Sequence, residues 1–141
     1  MYASVADMIS RFGEHDLALL SWREGAADGE INTPVVEQAL ADATAEINGY
    51  IGGRYKLPLA QVPAVLTGHC CSIARYLLNG DRAPEQVTDR YKAVIRFLEA
   101  VGKGDLQLGL ADDQPSQPTG TIAVMQSDGL VFSRRNSKGF I

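Results

Sequence analysis

One long amphipathic helix, with both of its ends written into the chain, constrains most of what this sequence can build. Thr33-Pro34 opens it. Threonine is suited to cap the first free N–H groups, and proline at the first helical position forgoes an N–H that has no partner there. Val35, Val36, Ala39, Leu40, Ala43, Ile47, Tyr50 and Ile51 recur at steps of three and four. That lays a single apolar stripe along a helix over residues 34–51, about 27 Å long. Gly52-Gly53 stops it, and Pro58 holds Leu57 extended. Nothing in the pattern is catalytic. It describes a strut whose end aims Arg54, Tyr55 and Lys56 outward or toward a neighbouring molecule.

The remaining pattern predicts further helices around this strut. Ser4-Val5-Ala6-Asp7 has the spacing of a capping box, with Val5, Met8, Ile9 and Phe12 following at helical intervals and Gly13 as terminator. A second helix over about 14–21 carries Leu17, Leu19 and Leu20, and residues 23–32 read as a polar, glycine-containing loop. A fourth helix is predicted from about 63 to 78, with Leu66, Cys70, Ile73 and Leu77 on one line and Val65, Ala74 and Leu78 beside it. Apolar residues cover most of its circumference, so it is expected to be the central helix, facing Val36, Leu40 and Ile47. Pro84 starts a fifth helix, in which Val87, Tyr91, Val94, Ile95, Leu98 and Val101 have buried spacing and which Gly102 and Gly104 end. The expected fold is mainly α: a compact bundle of about five helices over residues 1–110, followed by an extended arm.

The composition changes after about residue 110. Ala111 to Gly120 has the makings of a linker, rich in proline, serine and glutamine. Thr121 to Met125 and Leu130 to Phe132 are short strand candidates on either side of Ser127-Asp128-Gly129, a hairpin signal. A two-stranded hairpin is marginal in water and needs a partner surface, on its own body or on another chain. Residues 111–141 are therefore read as linker and arm, with Phe132, Arg134, Arg135, Lys138 and Phe140 as candidate interface residues beside Arg54, Tyr55 and Lys56.

At 141 residues and 45% hydrophobic content the chain suits one domain with a real core. No apolar run reaches membrane-spanning length, and no signal-like segment opens the chain, so a cytosolic protein is expected, with no membrane among its partners. Cys70 and Cys71 are adjacent and cannot staple a fold, which suits a reducing compartment. Residues 1–110 hold 14 acids and 10 bases, whereas the last eleven residues hold three bases and no acid. The body has no net attraction for nucleic acid; the terminus could meet an acidic surface.

Candidate chemistry is thin. His69-Cys70-Cys71 resembles a metal motif only in composition, because successive helical residues point about 100° apart and do not converge on one ion. Glu24, Asp28, Gly29 and Ile31 fall at positions 1, 5, 6 and 8 of a calcium loop, but Ala26 and Val35 stand where the third and twelfth ligands belong. No metal or cofactor is expected. Phosphate loop, nucleophile elbow and paired-His helix are all missing from the sequence. Ser72 lies three residues from His69, and a serine there is expected to bond to its own helix. The arginines and lysine at 75, 82, 90, 92 and 96 alternate with Asp81, Glu85, Asp89 and Glu99, which gives a mixed face rather than a basic one. An enzyme is not expected; a hydrolase using His69 or His15 would be a third choice.

Tyr2, Asp7-Met8, Arg11-Phe12-Gly13-Glu14 and the run Ala43-x-x-Glu46-Ile47-x-x-Tyr50-Ile51-x-x-Arg54-Tyr55-x-Leu57-Pro58-Leu59 carry a resemblance. They look like the protein family that Mu-like phages and prophages encode between major capsid and tail genes. Relatives often carry a fuller acidic Asp-x-Asp-Gly loop where this chain has Ala26-Ala27-Asp28-Gly29. That family is similar to the head–tail adaptors of other long-tailed phages, small helical proteins that form a ring beneath the portal and extend its channel. The resemblance implies a structural head–tail connector without catalysis. Its partners would be the portal protein, neighbouring copies in a ring of twelve, and the next head-completion or tail protein, with DNA only as passing cargo. It would reside in the host cytoplasm during assembly and in the virion afterwards. The alternative is a small helical DNA-binding or regulatory protein of a prophage, which would need a basic recognition helix.

Overall fold

Ser4 and Asp7 begin the first helix reciprocally: the Asp7 N–H donates to Ser4 Oγ at 3.2 Å, and the Ser4 N–H donates to Asp7 Oδ2 at 2.9 Å. The computed structural model describes residues 1–109 of the chain. Among them it forms five α-helices: α1 (Val5–Phe12), α2 (Glu14–Ser21), α3 (Thr33–Ile51), α4 (Ala64–Asn79) and α5 (Glu85–Lys103). A single 3-10 turn, Gly80–Arg82, joins the last two. The mainly α bundle expected from the sequence is what forms. The hairpin predicted around Asp128-Gly129 lies outside the described residues.

Helices α3, α4 and α5 pack on one another, and α1 with α2 closes across α3 and α4. The apolar stripe of α3 is buried through Val36, Ala39, Leu40, Ala43, Ile47 and Ile51. It shares one core with Leu66, Cys70 and Ile73 of α4 and with Val94, Leu98 and Val101 of α5. Burial of such side chains stabilises a fold by about 1.5–3 kcal/mol each. Two polar ties add specificity. The Tyr91 hydroxyl of α5 donates to Glu46 Oε2 of α3 at 2.7 Å while its ring stacks on Tyr76 of α4 at 4.0 Å. Ahead of α1, Tyr2 is stitched to two helices. Its N–H donates to Thr44 Oγ1, its hydroxyl bonds to Asn48 Oδ1, and its carbonyl accepts from Thr67 Oγ1 at 2.9 Å.

Three local expectations are corrected. Thr33 does not cap α3. The Asn32 carbonyl takes the first N–H groups, from Val35 and Val36, and Asn32 is itself held by an N–H bond to Ser21 Oγ at 2.9 Å. Ser21 in turn donates to the Leu17 carbonyl, so the buried end of α2 sets where α3 starts. Leu77 does not join the core line of α4. It is 38% exposed, and Ala74 and Leu78 take the buried positions. Apolar residues lie nearly all round this helix, so their periodicity does not select its phase; packing against α3 and α5 does. Gly102 does not end α5. It lies within the helix, where a Cβ would meet the Tyr50 carbonyl oxygen of α3 at 2.7 Å. The turn that stops α5 is left-handed Gly104, at φ 91°.

Candidate functional site

The end of the α3 strut folds back on the body instead of projecting from it. After Ile51 the chain winds through one tight turn, in which the N–H groups of Arg54 and Tyr55 both donate to the Ile51 carbonyl at 3.0 Å. That turn swings the Tyr55 ring inward. Tyr55 is only 4% exposed and belongs to the core, which corrects the expectation that it faces outward. Its hydroxyl oxygen accepts the buried N–H of Leu108 at 3.1 Å. Arg54 is half-buried, with its guanidinium against Gly104 at the C-terminal end of α5. That is the negative pole of the helix dipole, a favourable place for a cation. The left-handed Gly104 leaves the room it occupies, since a Cβ there would collide with Arg54 Nη1. Of the three strut-end residues Lys56 alone is exposed.

This geometry joins two segments that are far apart in sequence. Leu108 is buried beside Tyr55, and Gly109 follows it at the surface with φ 73°. The described chain therefore ends beside the turn that follows α3. The arm candidates Phe132, Arg134, Arg135, Lys138 and Phe140 lie outside the described residues.

A second feature was not legible in the sequence. Arg11 of α1, Arg75 of α4 and Arg90 of α5 border two adjoining clefts of about 340 and 480 Å³ that share Arg11, Phe12, Ser72 and Arg90. Among the described residues no carboxylate lines either one. The Arg75 guanidinium carbon sits 4.6 Å from the centre of the Phe12 ring, a cation–π contact. Gly68 admits Arg11 across α4, since a Cβ there would stand 3.4 Å from Arg11 Nη1. His69 packs its ring 4.6 Å from that of Phe97. Burial holds its pKa below the ordinary histidine value, and the Arg90 charge lowers it further. Arg75 Nε and His69 Nε2 are buried without hydrogen-bond partners among the described residues.

Ser72 Oγ donates to the Gly68 carbonyl of its own helix at 3.1 Å. Cys70 and Cys71 are buried free thiols, and desolvation pushes the Cys71 thiol up to about 11, away from thiolate reactivity at neutral pH. His15 is exposed on α2. The loop between α2 and α3 turns on Gly25 and Gly29, both at positive φ, and exposes Glu24, Asp28 and Glu30. No described helix is long and apolar enough to cross a membrane.

Comparison with known proteins places these features in context. A family model described as bacteriophage Mu, Gp36 matches residues 2–127. The Mu-like prophage FluMu protein gp36 of Haemophilus influenzae is 43% identical over 141 residues, covering 100% of this chain and 99% of its own length. Gene product J of Escherichia phage Mu is 42% identical over 141 residues, covering 99% of each chain.

Proposed function

The chain belongs to the bacteriophage Mu Gp36 family, and from that premise we propose that it is a structural head–tail connector. In this reading copies of the helical body assemble side by side into a ring under the portal protein, and DNA passes through as cargo. The arm reaches the portal or the next head-completion or tail protein. The twelve copies implied by portal symmetry belong to the proposal, as does residence in the virion. No catalytic step is assigned.

The observation that carries the reading is the Tyr55–Leu108 bond. It ties Leu108 to the turn that closes α3, and in this reading the arm starts from that defined place on the body. A ring subunit needs such a division of labour: a stiff unit with lateral faces, and an appendage that engages a partner.

Electron microscopy of the purified protein mixed with portal tests the proposal. The full chain should add a ring of density beneath the portal. A chain truncated after Ala111 should keep its helicity and melting temperature, because it retains every core residue among the described ones, Leu108 included, yet fail to attach. Full-length protein that adds no density to the portal under any condition would refute the connector role. Truncated protein that still attaches would remove the arm from it.

A further inference from the structure

Three guanidinium groups delivered by three different helices to clefts without a carboxylate form a concentrated positive field on a body that is otherwise net acidic. Guanidinium groups gathered without a carboxylate of their own give this surface the character of one half of an interface whose other half is anionic.

The same body carries a matching anionic feature. Between α2 and α3, Glu24, Asp28 and Glu30 are exposed together, and Trp22 beside them is 44% exposed. The one base among them, Arg23, is folded back onto the carbonyls of Leu20 and Trp22 at 3.2 and 2.8 Å, so it does not project to neutralise the loop. None of these residues lines the arginine clefts. A patch and its complement at separate places on one subunit make a heterologous contact, which propagates head to tail and gives a ring where its rotation closes. Nucleic acid fits less well, because the acidic body repels a phosphate backbone.

We propose that the Arg11–Arg75–Arg90 cleft receives the acidic 22–32 loop of a neighbouring copy, with its carboxylates against the guanidinium groups and Trp22 at the rim. This lateral contact rests on the reading of the protein as a ring subunit. Arginine forks suit carboxylates, and their planes stack on an indole.

Charge exchange on the full chain tests it, read by sedimentation velocity. Arg11 and Arg90 are exposed, so Arg11→Glu/Arg90→Glu should melt with the parent; if the pair unfolds, Arg90→Glu alone carries the test. The cleft variant should associate about tenfold or more weakly than the parent, as should the loop variant Glu24→Lys/Asp28→Lys/Glu30→Lys. Mixing the two variants should restore association, since each then offers the other a complementary surface. Rising salt should weaken the parent in the same way. A parent ring indifferent to both sets of substitutions would overturn this contact and leave the connector reading standing. A parent that forms no ring, alone or on the portal, would overturn both. Intact association with lost binding of a short DNA duplex in the cleft variant would reassign the cleft to nucleic acid.

Discussion

Gly102 and Gly49 form a matched pair that isolates the cost of crowding between α3 and α5. Both lie inside long helices, so replacing either by alanine brings the same intrinsic gain, about 0.5–1 kcal/mol from reduced backbone freedom. Their surroundings differ. A Cβ on Gly49 meets nothing within 4 Å, whereas a Cβ on Gly102 arrives 2.7 Å from the Tyr50 carbonyl oxygen. Carbon and oxygen do not approach so closely, and the obstacle is backbone where the last turns of α3 and α5 meet, not a side chain that can swing away. The two helices must separate by several tenths of an ångström, which loosens Ile47, Leu98 and Val101 together. Overpacking of this kind costs about 1–3 kcal/mol. Gly49→Ala should therefore stabilise by up to about 1 kcal/mol. Gly102→Ala should be neutral to destabilising by about 2 kcal/mol once the shared gain is subtracted. Because that gain cancels, the difference between the variants reports the collision alone: roughly 1–3 kcal/mol, or roughly 3–10 °C in melting temperature for a body of this size. Urea titrations followed by circular dichroism would measure it. Equal stability of the two variants would refute the close approach of α5 to Tyr50.

Further outcomes follow from the same coordinates. Leu40→Ala, at a fully buried position, should cost about 2–5 kcal/mol, while Leu77→Ala on the exposed side of α4 should cost well under half of that; chemical denaturation that reverses the order would place α4 in the wrong phase. Tyr55→Phe keeps the ring but strands the Leu108 N–H, so a loss of about 1–3 kcal/mol is expected, with hydrogen exchange rising first at Leu108; unchanged exchange there would discount the bond. Calorimetric titration should find no micromolar calcium site, because Ala26 and Val35 occupy ligand positions of the α2–α3 loop; a site abolished by Glu24→Gln or Asp28→Asn would refute that count.

The helices were legible because their signals are local. The Ser4/Asp7 pair lies within one turn, and the stripes of α3 and α5 repeat within one element. What escaped the sequence depends on partners distant along the chain. Gly102 looks like a terminator until Tyr50 is set against it, and Tyr55 looks exposed until the Ile51 turn carries it round to Leu108. Leu77 and Leu78 are equivalent to any periodicity argument when a helix is apolar on most sides. The arginine cleft had no linear signature at all. Arg11, Arg75 and Arg90 lie on three different helices, and only the packing of α1 on α4 and of α4 on α5 brings them together.

Both ends of the described chain are fastened to the same helix. Tyr2 reaches Asn48 across 46 residues, and Leu108 reaches Tyr55, just past the end of α3, across 53. Fraying, the ordinary low-energy opening of chain ends, is thereby coupled to the middle of the molecule. A contact spanning half the body forms only when the intervening elements are already in place, so no partial fragment holds its own ends. The body should lose its structure in one step, with the first and last residues as slow to exchange as the core. Proteolytic attack on the helical unit should then require its global opening instead of fraying at Tyr2 or Leu108.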